Sequence, residues 1–533
     1  MREALLQNRA RLSAGIASPI HLPAPTGGWN TRDSLAALPI SDAVRLTNWF
    51  PASLGEVVTR GGSFPAAWNI GSVAGKAVRS IYQYGASLGA PRLFAVSDEG
   101  IFDISSGGDQ AHAAPVQVLT SGYWNAIQMT NSLGNTFLWG ANGLDTPKMY
   151  NGAAWSTPAI TGPNPANLVY PWMFKRRIWC AENNSMSLWY TDVDSVQGQM
   201  FEFPVGALFN MGGRIVAGAT WTIDGGSGPD DYLVLITSQG EVAIYQGVDP
   251  ASATSFSIIG VFYIGAPLGR RCFVKYGGDL VILTEHGAYP LSSALKSAVI
   301  DFKVAISSKI QPTFIDYAGL YRGNLGWEGQ IFPNQNALVI NVPIVQAGSP
   351  TATRSTQLVM NTLTGAWCDF DGWNATCFTL FENDLYFGAD AGTVYKAWST
   401  GVQSDSLAPI VCTGQTAYSY LGQSPSLKIV DAMRPLISYD EQFDLAWGLA
   451  VDYELPARLT GYMSRNFIPG ASYWDLAIWD VSPWSLQTAR LKTWRAPTCK
   501  PGYAFSLILR VTSAVSRIGW SGHDFLVNQG APL

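Results

Sequence analysis

The feature that most constrains the fold of this chain is a short pattern that occurs five times. Each copy begins with Leu in an apolar run, places Gly seven positions later after a polar turn, and ends in a second apolar or aromatic run. Such runs favour β-strands, and a Gly between them supplies the positive φ of a tight turn. The pattern therefore predicts repeated β-hairpins. The copies are residues 93–102, 233–242, 280–289, 358–367 and 385–394.

The spacing of the copies favours a β-propeller. Looser copies at residues 136–143 and 177–190 fill gaps in the series. Intervals of very roughly 45 residues are typical of propeller blades, in which each four-stranded sheet packs its face on the next. The last two copies are only 27 residues apart, which indicates half-blades or blades with insertions. We predict a mainly β fold with a propeller-like core of repeated hairpins; an array of β-sandwiches is the alternative.

Changes in sequence texture divide the chain of 533 residues into three parts. Residues 1–75 are predicted to form an irregular N-terminal arm that docks on another surface. Residues 76–400 are predicted to form the propeller-like domain. Residues 401–533 carry longer apolar runs and are predicted to form a C-terminal β region whose terminal strand returns to the core.

Charged residues are scarce in this chain. They make up 13% of it, against about 25% in an average soluble protein, whereas aromatic residues reach 12% with 20 Trp. Interfaces are enriched in Trp and Tyr and depleted of Lys and Glu, so this composition indicates surface buried against other subunits, with a Trp-rich β core as the equal alternative. A net charge of −5 is not that of a protein that grips nucleic acid by its phosphates, and it suits a surface past which DNA slides.

The sequence predicts no cofactor, metal site or membrane-spanning segment. Six Cys without a CxxC pair and only four His cannot form a zinc site of standard spacing, and the Cys are expected to be free buried thiols. Asp224, Asp230 and Asp231 flank a Gly-rich stretch and could bind Ca²⁺, but without EF-hand spacing they are better interpreted as solvated loop charges. No apolar run is long enough for a transmembrane helix.

Candidate catalytic residues are few. Glu285 and His286 directly precede a hairpin Gly, where polar residues usually face solvent. Asp369, Asp371 and Glu382 are a group of carboxylates that general acid–base catalysis would need, although their spacing does not show that they face each other. The motifs of serine hydrolases, P-loop NTPases and zinc proteases are missing from the sequence. We therefore expect no enzymatic activity.

Residues 27–62, here called the N-terminal ribbon, carry large apolar side chains in a segment that cannot form a long helix. Gly, Pro, Asn and Asp recur through it, in GGWNTRD, AALP, NWFP and RGG. Its anchors include Trp29, Trp49 and Phe50. A series of turns with bulky anchors is expected to lie along a surface and bind to it.

The N-terminal ribbon resembles the N-terminal signature of nozzle proteins of short-tailed bacteriophages, the tail tubular protein B type. Residues 517–525 and 530–533 look like the terminal strand of that family, and residues 431–435 look like one of its internal segments. The resemblance implies a structural virion protein of the tail, assembled in the host cytoplasm. It would form a hexameric ring beneath the tail adaptor, pass double-stranded DNA during ejection and bind tail fibres or spikes on its flank.

The resemblance gives roles to particular residues. The predicted channel residues are the acidic group Asp224, Asp230 and Asp231, and channel-facing loops are expected to be net acidic.

The alternative function is a carbohydrate-binding or glycan-cleaving propeller, in which aromatic residues near the C-terminus would stack on sugars and Asp369 and Asp371 would act in hydrolysis. That aromatic cluster is Tyr473, Trp474, Trp479 and Trp484. The predicted interface residues are Trp29, Arg32, Trp49, Phe50, Trp474 and Trp484.

Overall fold

The chain forms two compact units. The terminal unit takes its residues from Met1–Phe64, Leu358–Gly372 and Trp398–Leu533, and the propeller unit takes them from Pro65–Gln357 and Trp373–Ala397. The computed structural model describes residues 18–52, 55–71, 76–85, 90–224, 229–252, 254–294, 302–345, 353–399, 401–422, 426–441, 443–456, 458–463, 489–491, 493–497 and 500–532.

Most of the described residues lie in short strands. The first group is β1 (Ser18–Pro23), β2 (Gly28–Trp29), β3 (Asp42–Thr47), β4 (Trp49–Pro51), β5 (Val57–Thr59), β6 (Ser63–Trp68), β7 (Val78–Tyr84), β8 (Arg92–Ser97), β9 (Gly100–Asp103), β10 (Gly108–Asp109), β11 (Gln117–Val118), β12 (Asn125–Thr130), β13 (Thr136–Ala141), β14 (Lys148–Tyr150), β15 (Trp155–Ser156), β16 (Ile160–Thr161), β17 (Leu168–Phe174), β18 (Arg177–Glu182), β19 (Ser187–Thr191) and β20 (Gly198–Pro204).

The second group of strands follows in chain order. It is β21 (Ile215–Asp224), β22 (Pro229–Thr237), β23 (Glu241–Gly247), β24 (Phe256–Tyr263), β25 (Phe273–Tyr276), β26 (Asp279–Thr284), β27 (Gly287–Pro290), β28 (Glu328–Phe332), β29 (Ala337–Val345), β30 (Thr353–Asn361), β31 (Trp367–Phe370), β32 (Ala375–Phe381), β33 (Asp384–Ala389), β34 (Val394–Ala397), β35 (Ser404–Asp405), β36 (Ala408–Thr416), β37 (Ser426–Tyr439), β38 (Asp444–Val451), β39 (Thr460–Met463), β40 (Ala489–Arg490), β41 (Phe505–Ser513) and β42 (Ile518–Pro532).

Helices are minor elements of the fold. The α-helices are α1 (Leu291–Ala294) and α2 (Gln311–Tyr321), and short 3₁₀ turns lie at Pro165–Asn167, Gly206–Leu208, Phe302–Val304, Ser308–Ile310 and Pro333–Gln335. Within the described ranges, no helix is long and apolar enough to cross a membrane. The structure is mainly β, as the sequence predicts.

The described part of the propeller unit contains seven small groups of paired strands, called sheets here. Five are separate sheets, whereas β28–β29 and β32–β34 belong to a longer sheet. In each of the seven, the first strand in chain order lies at one edge of the sheet. The first strand of each sheet packs against the next sheet, and the seventh sheet packs against the first, so the sheets close into a ring. This propeller-like arrangement confirms the predicted fold class. The sheets are β7–β8–β9–β11, β12–β15, β17–β20 with β16 as a parallel fifth strand beside β20, β21–β24, β25–β27, the β28–β29 hairpin and β32–β34.

The ring is joined by pairing between the two ends of the propeller sequence. In the seventh sheet, β34 pairs with β6, which precedes the first sheet in the chain. Just beyond β6, the Ile70 amide donates to the Gly392 carbonyl at 2.9 Å. The seventh sheet is therefore complete only when residues from both ends of the unit are in place.

The Gly of every predicted hairpin lies at the connection between two strands, and Gly100 and Gly287 are the first residues of the second strand. Four copies join the second and third strands of a propeller sheet, whereas the copy at residues 358–367 joins β30 to β31 and lies in the terminal unit. The interval of 27 residues between the last two copies is short because the first of them does not belong to the propeller unit. The half-blade interpretation is therefore wrong. The φ values are 151° at Gly100, 89° at Gly240, 148° at Gly287, 69° at Gly365 and 65° at Gly392.

Gly240 tests how strictly one of these turns requires glycine. A Cβ at Gly240 would lie 2.2 Å from the backbone carbon of Gly265, whereas Gly134, also at positive φ, has nothing within 4 Å. We expect Gly240→Ala to lower the free energy of unfolding by about 3 kcal/mol and Gly134→Ala by about 1 kcal/mol, because only the first adds a backbone clash to left-handed strain. Urea unfolding of both variants measures this difference, and equal losses would contradict it.

The terminal unit contains two sheets. The first has the order β4–β5–β42–β37–β40, with β1 also paired to β42, and the second contains β31, β3, β36, β41, β38 and β39 in that order. Trp49 and Trp520 of the first sheet have ring centroids 5.8 Å apart. A Cβ at Gly414 of the second sheet would lie 2.8 Å from the Trp520 ring, so the two sheets pack closely at this glycine.

The two units differ from the predicted three-part division. Residues of the predicted N-terminal arm and C-terminal region form one unit, because β42 pairs with both β1 and β5. The propeller unit begins at Pro65 and ends at Ala397, against predicted limits of 76 and 400, and it excludes Leu358–Gly372.

Candidate functional site

The N-terminal ribbon is anchored in its own chain. Trp49 is fully buried, and Phe50 is 4% exposed with its ring 5.0 Å from that of Trp398. Both side chains belong to the core of the terminal unit, so their interpretation as contacts for other subunits is corrected. Local sequence does not show this burial, because the aromatic residues that contact Trp49 and Phe50 lie hundreds of residues away in the chain.

Two other predicted interface residues of the ribbon lie at the surface. Trp29 is partly buried, and its Nε1 donates to the Val44 carbonyl at 3.1 Å. Arg32 is exposed, with its Nε 2.9 Å from Asp33 Oδ1. Contact with another subunit stays a prediction for these two residues.

Arg60 holds the end of the ribbon in place and was not found by sequence reasoning. The residue is 1% exposed. Its Nη1 lies 3.1 Å from Asp405 Oδ1, its Nη2 donates to the Asp371 carbonyl at 2.8 Å, and its Nε donates to Asn48 Oδ1 at 2.8 Å. The buried guanidinium therefore ties three distant segments of the terminal unit together.

Two cavities are lined by successive sheets of the propeller ring, and two adjacent arginines lie in different ones. The Arg270 cavity has a volume of about 790 Å³ and is lined largely by loops and turns. The Arg271 cavity has a volume of about 970 Å³ and is lined by β7, β12, β17, β21, β25 and β28, which are first strands of their sheets. Pockets of this size with a few polar groups are the usual form of a ligand site.

Arg271 joins four sheets of the ring. It directly precedes β25, and it binds residues of β7, β12 and β28 or next to them. Five acceptors match the five N–H donors of a guanidinium, so no donor is left for a ligand. The acceptors are Glu328 Oε2 at 2.9 Å, the Arg79 carbonyl at 3.2 Å, the Trp124 carbonyl at 3.1 Å, Asn125 Oδ1 at 3.3 Å and Ser80 Oγ.

The surroundings of Arg271 keep it charged. Burial acts to lower the pKa of Arg271, but the nearby Tyr82 and Glu328 raise it by more. Burial raises the pKa of Glu328, against the opposing effect of Arg271, and it raises the pKa of Tyr82 to about 12. This saturated ion pair is a structural link between sheets and not an acid–base site.

Arg270 is placed quite differently. Its Nη2 donates to Asn183 Oδ1 at 3.1 Å, and its Nη1 lies 3.4 Å from the Asn142 carbonyl. Burial lowers the pKa of Arg270; Tyr123 raises it, and the positive charge of Arg214 lowers it again. Among the described residues, no carboxylate forms an ion pair with Arg270 or Arg214; Glu285 at the rim is paired with Arg322 at 2.9 Å.

The predicted catalytic carboxylates are divided between the two units. Asp369 and Asp371 belong to the terminal unit, whereas Glu382 is exposed in the turn after β32 of the propeller unit. Asp369 Oδ1 accepts from Thr47 Oγ1 at 3.0 Å, and burial raises the pKa of Asp369 to about 7. His286 lies partly buried in the turn between β26 and β27, the hairpin position that the sequence indicates.

The predicted channel residues lie at the ends of strands. Asp224 ends β21 and Asp230 belongs to β22, so the described part of the acidic stretch is strand and not loop; the side chains of these two residues lie outside the described part. Asp231 Oδ2 lies 2.9 Å from Lys175 Nζ, and its Oδ1 accepts from Thr222 Oγ1 at 2.8 Å. Burial acts to raise the pKa of Asp231, but the hydrogen bonds from Lys175 and Thr222 outweigh burial, so the pKa is lowered overall. Asp231 is therefore a neutralised anion.

Other sequence predictions concern cysteines, metals and aromatic residues. Trp474 and Trp484, with the rest of their cluster, lie outside the described residues, as does Cys499. No group of three His, Cys, Asp or Glu in the described ranges could hold a metal ion. The prediction of free buried thiols is confirmed for Cys180, Cys272, Cys368, Cys377 and Cys412.

The fold and its cavities define a β-propeller-like protein with a second β unit. No protein-family model and no curated protein matches the chain. Among solved structures, it is similar to the computationally designed Ika8 protein, with 12% identity over 67% of this chain and 96% of that chain and a TM-score of 0.32.

Two further solved structures are similar at the same low level. One is BBS1N in complex with ARL6DN, with 11% identity over 64% of this chain and 97% of that chain and a TM-score of 0.37. The other is a chain of the Mitotic Checkpoint Complex, with 9% identity over 60% of this chain and 92% of that chain and a TM-score of 0.34. Likenesses this weak carry no argument about function.

Proposed function

We propose that this protein is a structural component of the tail of a short-tailed bacteriophage, a subunit of the nozzle ring through which DNA leaves. The observation that carries the proposal is the resemblance of the N-terminal ribbon to the nozzle signature. Its NWFP and RGG motifs supply Trp49, Phe50 and Arg60 to the core of the terminal unit. A motif with that role is typical of a scaffold and not of an enzyme site.

The channel for DNA would be formed between subunits. Among the described residues, Arg271 links four sheets of the propeller unit, so the proposal does not route the duplex through that unit. A ring of copies would supply the channel, with each copy using two different faces for its neighbours. The scarcity of charged residues supports extensive burial between copies.

The glycan-cleaving alternative has less support. Its three carboxylates are divided between two units, and the backbone carbonyl of Asp371 is bound by buried Arg60. The predicted sugar-stacking residues lie outside the described ranges. We therefore do not propose enzymatic activity.

Electron microscopy of the protein, alone and in tail particles, tests the nozzle proposal. We expect a ring of copies in the assembled tail, and a protein that stays monomeric both free and in the virion would contradict the proposal. Arg32→Glu is expected to weaken assembly, because Arg32 is exposed on the ribbon. Arg92→Glu is the matched control, since both side chains are 47% exposed and each pairs with one aspartate.

A further inference from the structure

The Arg270 cavity contains positive charge that the described chain does not neutralise. Arg270 and Arg214 both line it, and the positive charge of Arg214 is close enough to lower the pKa of Arg270. Among the described lining residues, Glu285 is the acidic one, and it is already paired with Arg322. Two like charges held close together cost free energy, and a bound anion would offset that cost.

The guanidinium of Arg270 keeps donors for a ligand. A guanidinium has five N–H donors. In Arg270 the structure shows hydrogen bonds from Nη2 to the side chain of Asn183 and from Nη1 to the Asn142 carbonyl, both neutral oxygens. The neighbouring Arg271 has an acceptor for every donor and a carboxylate partner. The contrast between the two arginines indicates an anionic ligand at Arg270.

A tyrosine hydroxyl supplies a second polar group without a partner among the described residues. Tyr123 lines the same cavity and is 8% exposed, and the Arg271 guanidinium carbon lies 4.7 Å from the centroid of its ring. A buried Tyr hydroxyl usually has a hydrogen-bond partner. Burial raises the pKa of Tyr123, against the opposing charges of Arg271 and Arg270, so the hydroxyl stays protonated. It is therefore a further donor for an anion near Arg270.

The rest of the lining suits a ligand with hydroxyl groups. Asn184 and Gln239 are exposed, and neither side-chain amide is hydrogen-bonded to another described residue. An amide both donates and accepts, as the hydroxyl groups of a ligand require. Tyr263 also lines the cavity, is 43% exposed and offers a ring on which one face of a sugar can stack.

We infer that the Arg270 cavity binds a sugar acid, a ligand with a carboxylate and several hydroxyl groups. Arg270, Arg214 and the Tyr123 hydroxyl bind the carboxylate, and the two amides bind hydroxyl groups. Glu285 in the lining disfavours a phosphate ester, which carries about two negative charges where a carboxylate carries one. The inference concerns binding without a reaction, and it goes beyond the proposed function and does not depend on it.

Titration of the full chain with glucuronate, followed by saturation-transfer difference NMR, tests the site. Arg270→Gln is expected to raise the dissociation constant about tenfold or more, because hydrogen bonds to an ion are lost. Arg214→Gln should also raise it, and this exposed side chain has no described partner whose loss would unfold the protein. Lys275→Gln, at an exposed residue of the Arg271 cavity, is the control and should bind as wild type does. Circular dichroism checks that each variant is folded.

Two outcomes of that titration overturn the inference: wild type that does not bind glucuronate, and arginine variants that bind it as wild type does. Two further ligands test the ligand class. Glucose keeps the hydroxyl groups but lacks the carboxylate, so it should bind about tenfold more weakly or worse. Inorganic phosphate has charge without a hydroxylated ring and should not displace glucuronate at equal concentration. Equal affinity for glucose, or displacement by phosphate, overturns the assignment of a sugar acid.

Discussion

Replacing Arg271 by Met is expected to lower the free energy of unfolding of the propeller unit by about 3–5 kcal/mol. The substitution keeps an unbranched side chain of similar length but removes the charge that faces partly buried Glu328. It also removes the donors to Ser80 and Asn125, which lie on two other sheets. The remaining carboxylate would lose its cationic partner in a largely desolvated place and keep only its hydrogen bond to the Phe378 backbone, and that desolvation is the largest part of the loss.

A second substitution separates the ion pair from the packing. Arg271→Met with Glu328→Gln removes both charges and should recover a large part of the lost stability, because no unpaired ion is left. Arg92→Met, at the exposed pair with Asp103, should cost about 1 kcal/mol or less. Urea unfolding followed by tryptophan fluorescence measures all three variants. Similar losses for Arg271→Met and Arg92→Met would refute the link between sheets.

Asp369→Asn is expected to change how the stability of the terminal unit depends on pH. The pKa of Asp369 is raised to about 7 in the folded chain, mainly by burial, from its ordinary value of 3.8. Between these two pH values the folded state binds a proton that the unfolded state has lost. The free energy of unfolding should therefore fall as pH rises through this window, by at most about 1.4 kcal/mol per pH unit.

The total effect of Asp369 is at most about 4 kcal/mol between pH 4 and pH 7.5, reduced by the solvent that reaches this partly exposed residue. Asn cannot ionise and still accepts the Thr47 hydrogen bond, so the variant should lose this slope and be more stable than wild type at pH 8. Asp444→Asn, an exposed residue of the same unit, is the control. A wild-type slope retained in Asp369→Asn would contradict the prediction.

The sequence predicts the propeller hairpins because their information is local. The Leu and Gly of each copy lie within ten residues, and the turn geometry depends only on them. The same pattern does not show which sheet a hairpin joins. The copy at residues 358–367 looks like the others, but its contacts place it in the terminal unit.

The residues that stabilise each unit from within could not be found from local patterns. Arg60 binds Asp405, which is 345 residues away, and Arg271 binds Ser80, which is 191 residues away. Partners separated by so many residues produce no periodic pattern in the sequence that could predict the contact. Similarly, Trp49 and Phe50 were expected at an interface because the strands that cover them are distant in the chain. No local pattern in the sequence shows that the two ends of the chain pair with each other.

That pairing also sets the order in which the protein can be made. β1 and β5 leave the ribosome early, but their partner β42 is synthesised more than 450 residues after β5. At about 5–20 residues per second, the wait lasts roughly 25–90 seconds. β6 waits in the same way for β34. During translation, the apolar side chains of the N-terminal ribbon are therefore uncovered, and a chaperone that shields them should raise the yield of folded protein.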